Sequence, residues 1–470
     1  MVPTHLRRTP TGALCAGLDS LLPDPLNVGA GTAIVVTGWC YHEWLSIREL
    51  RVQCGDSVAP AVLSGIPRCV SEDESPRAAS AGFAAVLPIP GIARPMPQPI
   101  IIHAVLAGGR TESATLGSLR LNPSLRVIEE ERSLSDSVLS AERMGVKRRP
   151  YDAGEDETFV PTVAICLATS DPSTDIFARQ VAAFRAQTEA NWICLINDDG
   201  SKPESLAAIR GMLGDDRRFQ LLRQSTKQGA YRSIENCLNL VPSQVDFVAL
   251  CGPNDIWQRD ALAVLRSRFM SRTSLVCTSA ISENVSELLI SELSLGTAMF
   301  CRTVLDRILP FPPAAADARF DPWIACVAAT SGKIARIAEP ICEAMPKSGP
   351  TDADPLPRLS LRARLSQWLA DGPRKFGEHR LRIQQLAQAL RKRDSDWFSR
   401  AQIQALDRAI DPLWLLIQAG RAWLGRNRAA GHASALLHAQ LWSTIVRTQL
   451  MLGLGRQRPR PSAVARRRAA

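Results

Sequence analysis

Between residues 159 and 346 the chain alternates buried-type strands with amphipathic helices, and that order leaves few folds open to it. The apolar run FVPTVAICLAT closes on a polar cluster, Thr169-Ser170-Asp171. A helical stretch follows, with Ile176, Val181 and Phe184 on roughly one face. A second apolar strand, NWICLIND, runs into Asp198-Asp199-Gly200-Ser201. A short helix around Pro203–Leu213, a strand FQLLRQ, and a helix with Ile234, Cys237, Leu238 and Val241 at helical spacing come next. Strand DFVALCG then ends in Gly252-Pro253-Asn254-Asp255. Apolar strands buried on both faces need helices to cover them, so this order predicts a mostly parallel α/β sheet flanked by helices. Ligands bind such sheets beyond the carboxyl ends of the strands, which is where the three polar clusters fall.

The flanking segments differ in kind. Residues 1–30 are expected to be an N-terminal extension. Residues 31–121 (TAIVVTGWC, SIRELRVQC, AAVLPIP and PIIIHAVLA, separated by Gly, Pro and Ser clusters) predict a small all-β sandwich. Residues 122–158 are charged and polar, a linker. Residues 347–455, rich in Ala, Leu, Arg and Gln, predict a helical C-terminal region holding Trp368, Trp397, Trp414, Trp423 and Trp442. Residues 456–470 read as a basic disordered tail.

Charge is unevenly spread. Residues 361–470 hold 21 Lys+Arg against 6 Asp+Glu, a balance of +15, so a net charge of +10 leaves −5 for the first 360 residues. A negatively charged partner is therefore expected at the C-terminal end, not at the α/β region. Three readings of that end stay open: peripheral contact with an anionic membrane through 361–470, packing as a helical subdomain, and nucleic-acid binding, which no motif supports. No apolar run reaches the roughly 18–20 residues of a membrane-spanning helix. The N-terminal segment shows no secretory signal, so a cytoplasmic protein is expected, at most peripheral at the inner membrane face. The 12 cysteines are scattered in apolar strings without zinc spacing and are expected to be reduced core thiols.

All six histidines lie outside the α/β region, so acid–base or metal chemistry there must rest on carboxylates. No Walker A loop, G-x-G-x-x-G turn or G-x-S-x-G elbow is present, which sets aside NTPase, dinucleotide and α/β-hydrolase chemistry. Adjacent Asp198 and Asp199 at a strand end, followed by a glycine, can accept from a nucleobase or a ribose hydroxyl. The same residues also suit an ordinary strand-to-helix turn. In the N-terminal unit Trp39, Tyr41 and Trp44 are either sugar-stacking rings or core.

Taken in order, these pieces resemble the GT-A glycosyltransferases of family 2, nearest to their rhamnosyltransferase-like branch. The matching elements are Thr169, Gln187-Thr188, Asn191-Trp192, Asp198-Asp199-Gly200-Ser201 and Gln228-Gly229. They continue with the Asp255–Trp257 stretch, the segment LGTAMFCRTVLDRILPFPP, and the Asp321-Pro322-Trp323 helix with its following strand. Gly38-Trp39, Gly65-Ile66-Pro67-Arg68 and Ala81-Gly82-Phe83 are similar to a β-sandwich domain that precedes some family members. The resemblance implies a GT-A type sheet and an inverting glycosyltransferase. Such an enzyme moves a sugar from a nucleotide-diphospho-sugar donor to a hydroxyl of a growing surface glycan, free or lipid-linked. It implies Thr169, Asp171, Asp198, Asp199, Lys227 and Gly229 at the donor, Asp255 and Asn254 at a divalent Mg or Mn ion, and Asp321 as the base. Asp321 also suits a helix N-cap. Two carboxylates of the family's metal stretch are here Gly252 and Asn254. Three outcomes follow: weak metal binding, a basic residue in the metal's place, or a degenerate, non-catalytic sugar- or nucleotide-binding scaffold.

Overall fold

The computed structural model describes residues 13–20, 22–68, 75–123, 161–279, 284–290, 293–314, 318–344 and 380–393, with residues 281 and 404 and the two-residue strands 7–8 and 147–148. The chain divides into two compact units, one of residues 1–354 with 381–409 and another of 355–380 with 410–470. Every element below belongs to the first. Most of the expected linker and helical region, and all of the basic tail, lie outside the described residues, as do the five C-terminal tryptophans.

The N-terminal strands are β1 (Arg7–Arg8), β2 (Leu14–Leu18), β3 (Leu26–Asn27), β4 (Gly31–His42), β5 (Ile47–Cys54), β6 (Ser57–Ile66), β7 (Gly82–Pro90), β8 (Met96–Leu106) and β9 (Thr111–Asn122). They form one nine-stranded sheet in the order β1-β2-β4-β7-β6-β5-β8-β9-β3. The sheet curls, since Ile34, Phe83 and Leu87 of one half share a single core with Val52, Ile102 and Leu119 of the other. Strands β2 and β3 bring residues 14–18 and 26–27 into the sheet, so part of the expected N-terminal extension is structural. Trp39 and Tyr41 stack on each other at 5.9 Å and are buried, with Cys15, Ala78 and Ala81, while Trp44 stays 68% exposed. Gly17 is required here because a Cβ would stand 2.8 Å from the Trp39 ring. Trp39 and Tyr41 are core, and a sugar-stacking role is left only to Trp44.

The α/β region begins after β10 (Lys147–Arg148). Its strands are β11 (Val163–Thr169), β12 (Trp192–Asp198), β13 (Phe219–Arg223), β14 (Phe247–Cys251), β15 (Asp255–Trp257), β16 (Thr273–Cys277), β17 (Thr297–Cys301), β18 (Lys333–Arg336) and β19 (Cys342–Ala344). Its helices are α1 (Thr174–Arg185), α2 (Pro203–Leu213), α3 (Ala230–Asn239), α4 (Ala261–Ser267), α5 (Val285–Ile290), α6 (Arg302–Ile308) and α7 (Phe320–Ser331). An eight-stranded sheet runs β10-β13-β12-β11-β14-β17-β16-β18, and β15 pairs with β19 as a separate ribbon. Strands β13, β12, β11 and β14 are mutually parallel, and β17 is antiparallel to β14. This is the expected fold class: a mixed α/β sheet with helices, after a strand-rich N-terminal region. The apolar stripe of α1 places Phe177, Val181 and Phe184 on β11 and β12, and Phe184 meets Trp257 edge-on at 5.4 Å. Full burial of each such side chain contributes about 2–3 kcal/mol.

Residues 381–393 form a helix, α8, that ties the two sheets of this unit together. Gln385 donates through Nε2 to the carbonyls of Ala33 and Pro313 at 2.9 and 2.8 Å. Arg393 donates to the carbonyls of Gly31 and Ile308 at 3.0 and 2.8 Å, and its guanidinium lies 4.7 Å over the Trp323 ring of α7. Gly31 permits this approach, because a Cβ there would stand 2.7 Å from the Lys392 carbonyl oxygen. All eleven described cysteines are free thiols, nine of them buried.

Candidate functional site

Register builds the site. Along parallel neighbours, Thr169 of β11 stands opposite Asp198 of β12, and Leu167 opposite Cys251 of β14. Cys251 in turn faces Thr297, the first residue of antiparallel β17. The turns after β12, β11 and β14 and the approach to β17 therefore emerge side by side along one sheet edge.

On the β12 side the carboxylates fasten turns. Asp199 is buried, and its two oxygens accept the backbone N–H groups of Gln228 and Gly229 at 2.7 and 2.8 Å. Gly229 takes φ +84, a left-handed conformation natural to glycine, and Gly200 takes φ +69 in the turn beside Lys227. Asp198 is fully buried: Oδ1 accepts the Ser201 N–H at 3.3 Å, and Oδ2 has no hydrogen-bond partner among the described residues. Asp171, at φ +45, donates its N–H to the Ser201 hydroxyl at 2.7 Å and accepts the Lys202 N–H at 2.8 Å. Its carboxyl is held below the ordinary carboxylate range, first by the Lys202 N–H. Lys227 Nζ stands 3.6 Å from it and remains 62% exposed. The structure thus brings Thr169, Asp171, Asp198, Asp199, Lys227 and Gly229 together, with Asp171 and Lys227 partly open and Asp198 and Asp199 turned inward.

On the β14 side Asp255 is sunk against backbone. Its Oδ2 accepts the Thr297 hydroxyl at 3.2 Å and the Gly252 N–H at 3.3 Å. A Cβ on Gly252 or Gly296 would stand 2.7 or 2.6 Å from that same oxygen. Burial pushes the carboxyl up, against the pull of Thr297 and Gly252. Trp257 donates its indole N–H to the Thr297 hydroxyl at 3.1 Å, which completes the slot. Asn254 is half-buried beside it.

Asp321 is the second residue of α7, and Arg319 takes the cap position without a side-chain cap bond, so the N-cap expectation does not describe it. Its Oδ1 accepts the Leu295 N–H at 2.7 Å, and its Oδ2 lies 3.6 Å from Arg319 Nη2. Burial raises its pKa, opposed by the Leu295 N–H and Arg319. Asp255 and Asp321 therefore hold neighbouring residues of one segment, Leu295 to Thr297.

A divalent ion prefers several charged oxygens. Among the described residues no group of three or more His, Cys, Asp or Glu side chains could hold one. At Asp255 the donor set is one carboxylate, with one oxygen already accepting two hydrogen bonds and wedged between two glycines, plus the Asn254 amide. These residues do not fit a resident Mg or Mn ion.

Two positioning residues escaped the sequence. Gln180 of α1, buried, donates through Nε2 to the carbonyls of Gly252 and Asp255 at 2.8 and 3.1 Å and so shapes the 252–255 turn. Its one signal was a polar side chain inside the apolar stripe of α1. Thr297 carried no signal, because its partners come from β14 and β15.

Among solved structures, the chain is similar to the mannosyltransferase PcManGT from Pyrobaculum calidifontis, in complex with GDP-Man and Mn2+. Identity is 18% over 69% of this chain and 88% of that one, with a TM-score of 0.38. It is also similar to S. aureus TarS 1-349 in complex with UDP-GlcNAc, at 12% identity over 60% of this chain and 92% of that one, TM-score 0.37. No curated protein matches the chain in sequence. Residues 174–322, which supply most of the strand edge described above, match the Glycosyl transferase family 2 domain.

Proposed function

We propose that this chain is an inverting glycosyltransferase that takes a nucleotide-diphospho-sugar donor at the edge formed by β12, β11 and β14. The observation that carries the proposal is the register: three polar turns emerge side by side, and the family 2 match covers two of them and the Asp321 segment. Thr169, Asp171 and Lys227 meet the donor, on turns that Asp198, Asp199 and Gly229 shape. Asp321 receives the proton of the acceptor hydroxyl. In the same step the acceptor oxygen bonds to the anomeric carbon and the bond from that carbon to the diphosphate oxygen breaks, from the opposite face. A carboxyl whose pKa burial has raised is a stronger proton acceptor than an exposed one, which suits Asp321 to this task. The acceptor is a growing surface glycan, lipid-linked, in the manner of the rhamnosyltransferase-like branch. The strand-rich N-terminal region is a β-sandwich domain, and 361–470 supplies a peripheral contact with an anionic membrane. No helix among the described residues is long and apolar enough to cross a membrane.

A second reading is favoured by one specific observation: Asp199, Asp255 and Asp321 all have oxygens committed to backbone N–H groups. A scaffold that holds a nucleotide-sugar without turning it over would look the same. Thermal-shift binding across nucleotide-sugars, followed by an assay of nucleoside diphosphate release with glycolipid acceptors, separates the two. Release that Asp321→Asn abolishes while binding persists supports the enzyme. Binding without release in the wild type supports the scaffold, and absence of binding to every donor removes both.

A further inference from the structure

Asp321 and Trp323 lie two positions apart in the first turn of α7, and at about 3.6 residues per turn such neighbours point to nearly opposite sides of a helix. One side faces the site, and the other is gripped from α8. We propose that Arg393 is a positioning residue for Asp321, so that α8, which lies outside the 174–322 family match, is part of the catalytic unit. The proposal rests on the reading of Asp321 as the base and deepens it.

On the site side, Asp321 Oδ1 accepts the Leu295 N–H at 2.7 Å. On the other side the fully buried Trp323 donates its indole N–H to the Ile308 carbonyl, at the end of α6, at 2.9 Å. Arg393 closes this second contact. Its guanidinium lies 4.7 Å over the Trp323 ring. Nη1 donates to the same Ile308 carbonyl at 2.8 Å and to the Arg307 carbonyl at 2.5 Å, and Nη2 donates to the Pro310 carbonyl. Nε donates to the Gly31 carbonyl at 3.0 Å, which braces the fork on β4. One planar group thus holds the end of α6, the strap 309–313 that follows it, and the ring that seats α7. Gln385, two turns earlier on α8, supplies a natural contrast. It also bonds to β4 and to the strap, at the Ala33 and Pro313 carbonyls, but Arg393 adds the end of α6 and the face of Trp323. Without the guanidinium, the first turn of α7 loses its backing and can shift. A base displaced by about 1 Å costs on the order of 100-fold in rate.

The test compares Arg393→Gln with Gln385→Met in the full chain. Hydrogen exchange at the Leu295 amide reports whether Asp321 still accepts from it, independently of activity, and Asp321→Ala gives the value for complete loss. Release of nucleoside diphosphate from a panel of UDP-, GDP- and dTDP-sugars with glycolipid acceptors gives kcat and the donor KM. Arg393→Gln should speed Leu295 exchange about tenfold or more, with the amides of β11 and β12 unchanged. It should lower kcat about 10- to 100-fold while the donor KM moves less than about threefold, because donor binding does not run through α7. Arg393→Lys keeps the charge without the fork; it should show the same pattern in smaller measure, and decides the matter if Arg393→Gln does not fold. Gln385→Met should lower Tm and leave Leu295 exchange and kcat as in the wild type. Unchanged Leu295 exchange in the Arg393 variants overturns the proposal, as does an equal acceleration in Gln385→Met. Wild-type kcat in the Arg393 variants, with Asp321→Asn inactive, also overturns it and leaves the base reading standing. Turnover retained by Asp321→Asn, or absent from the wild type with every donor, overturns the base reading and the proposal with it.

Discussion

Replacing Asp199 by Ala tests whether the donor-side turn is held from below by one buried carboxylate. The side chain is 6% exposed and accepts the N–H groups of Gln228 and Gly229 at 2.7 and 2.8 Å. Hydrogen bonds to a charged acceptor contribute about 1.5–3 kcal/mol each, so the sum has an upper bound near 6 kcal/mol. Gln228 and Gly229 are themselves exposed, so water can take over both donors once the carboxylate is gone. The penalty for orphaned groups then largely disappears, and about 2–3 kcal/mol of local stability should be lost. At 1.36 kcal/mol per decade that corresponds to about a 30- to 150-fold fall in protection. Native-state hydrogen exchange reads it directly at the amides of 228 and 229, with the amides of β11 and β12 as internal control. Lys227 rides on the same turn, so affinity for a nucleotide should fall with the protection. Unchanged exchange at 228 and 229 in a folded Asp199→Ala protein would refute the clasp. A uniform loss of protection over β11 and β12 would show that Asp199 supports the whole sheet instead.

Two predictions concern the Asp255 slot. Gly296→Ala puts a Cβ 2.6 Å from Asp255 Oδ2 and should cost about 1–3 kcal/mol by overpacking; in an Asp255→Ala background the cost should vanish, as thermal unfolding of the four proteins would show. Asp255→Asn should stabilise the protein near pH 7 and lose that advantage as pH falls. Burial raises the folded pKa above 3.8, so in the window between the two values the folded state binds more protons than the unfolded one, and stability drops as pH rises through it. The amide carries no charge to desolvate and can still accept from Thr297 and Gly252. A pH-independent difference in Tm between the two proteins contradicts this account.

What the sequence made legible follows from how local each determinant is. The strands β11, β12 and β14 and the stripes on α1 and α3 were readable because each is an apolar period within a dozen neighbouring residues. The turn at Asp198-Asp199-Gly200-Ser201 was readable too, yet its carboxylates do a different task from the one their pattern suggested. Their partners, Gln228 and Gly229, sit a whole strand further on, and nothing in the pattern said which way the oxygens turn. The slot around Asp255 was illegible for the same reason carried further: Gly252 follows β14 while Gly296 and Thr297 stand at the start of antiparallel β17, and only the pairing of those two strands brings them to one oxygen. Seen alone, Gly252 is a missing carboxylate in a metal stretch. Seen with Gly296, it is a condition of the slot, since any side chain at 252 would meet Oδ2 at 2.7 Å and expel Asp255 from it. Restoring an acid at 252 should therefore not restore a metal site unless Asp255 is first released.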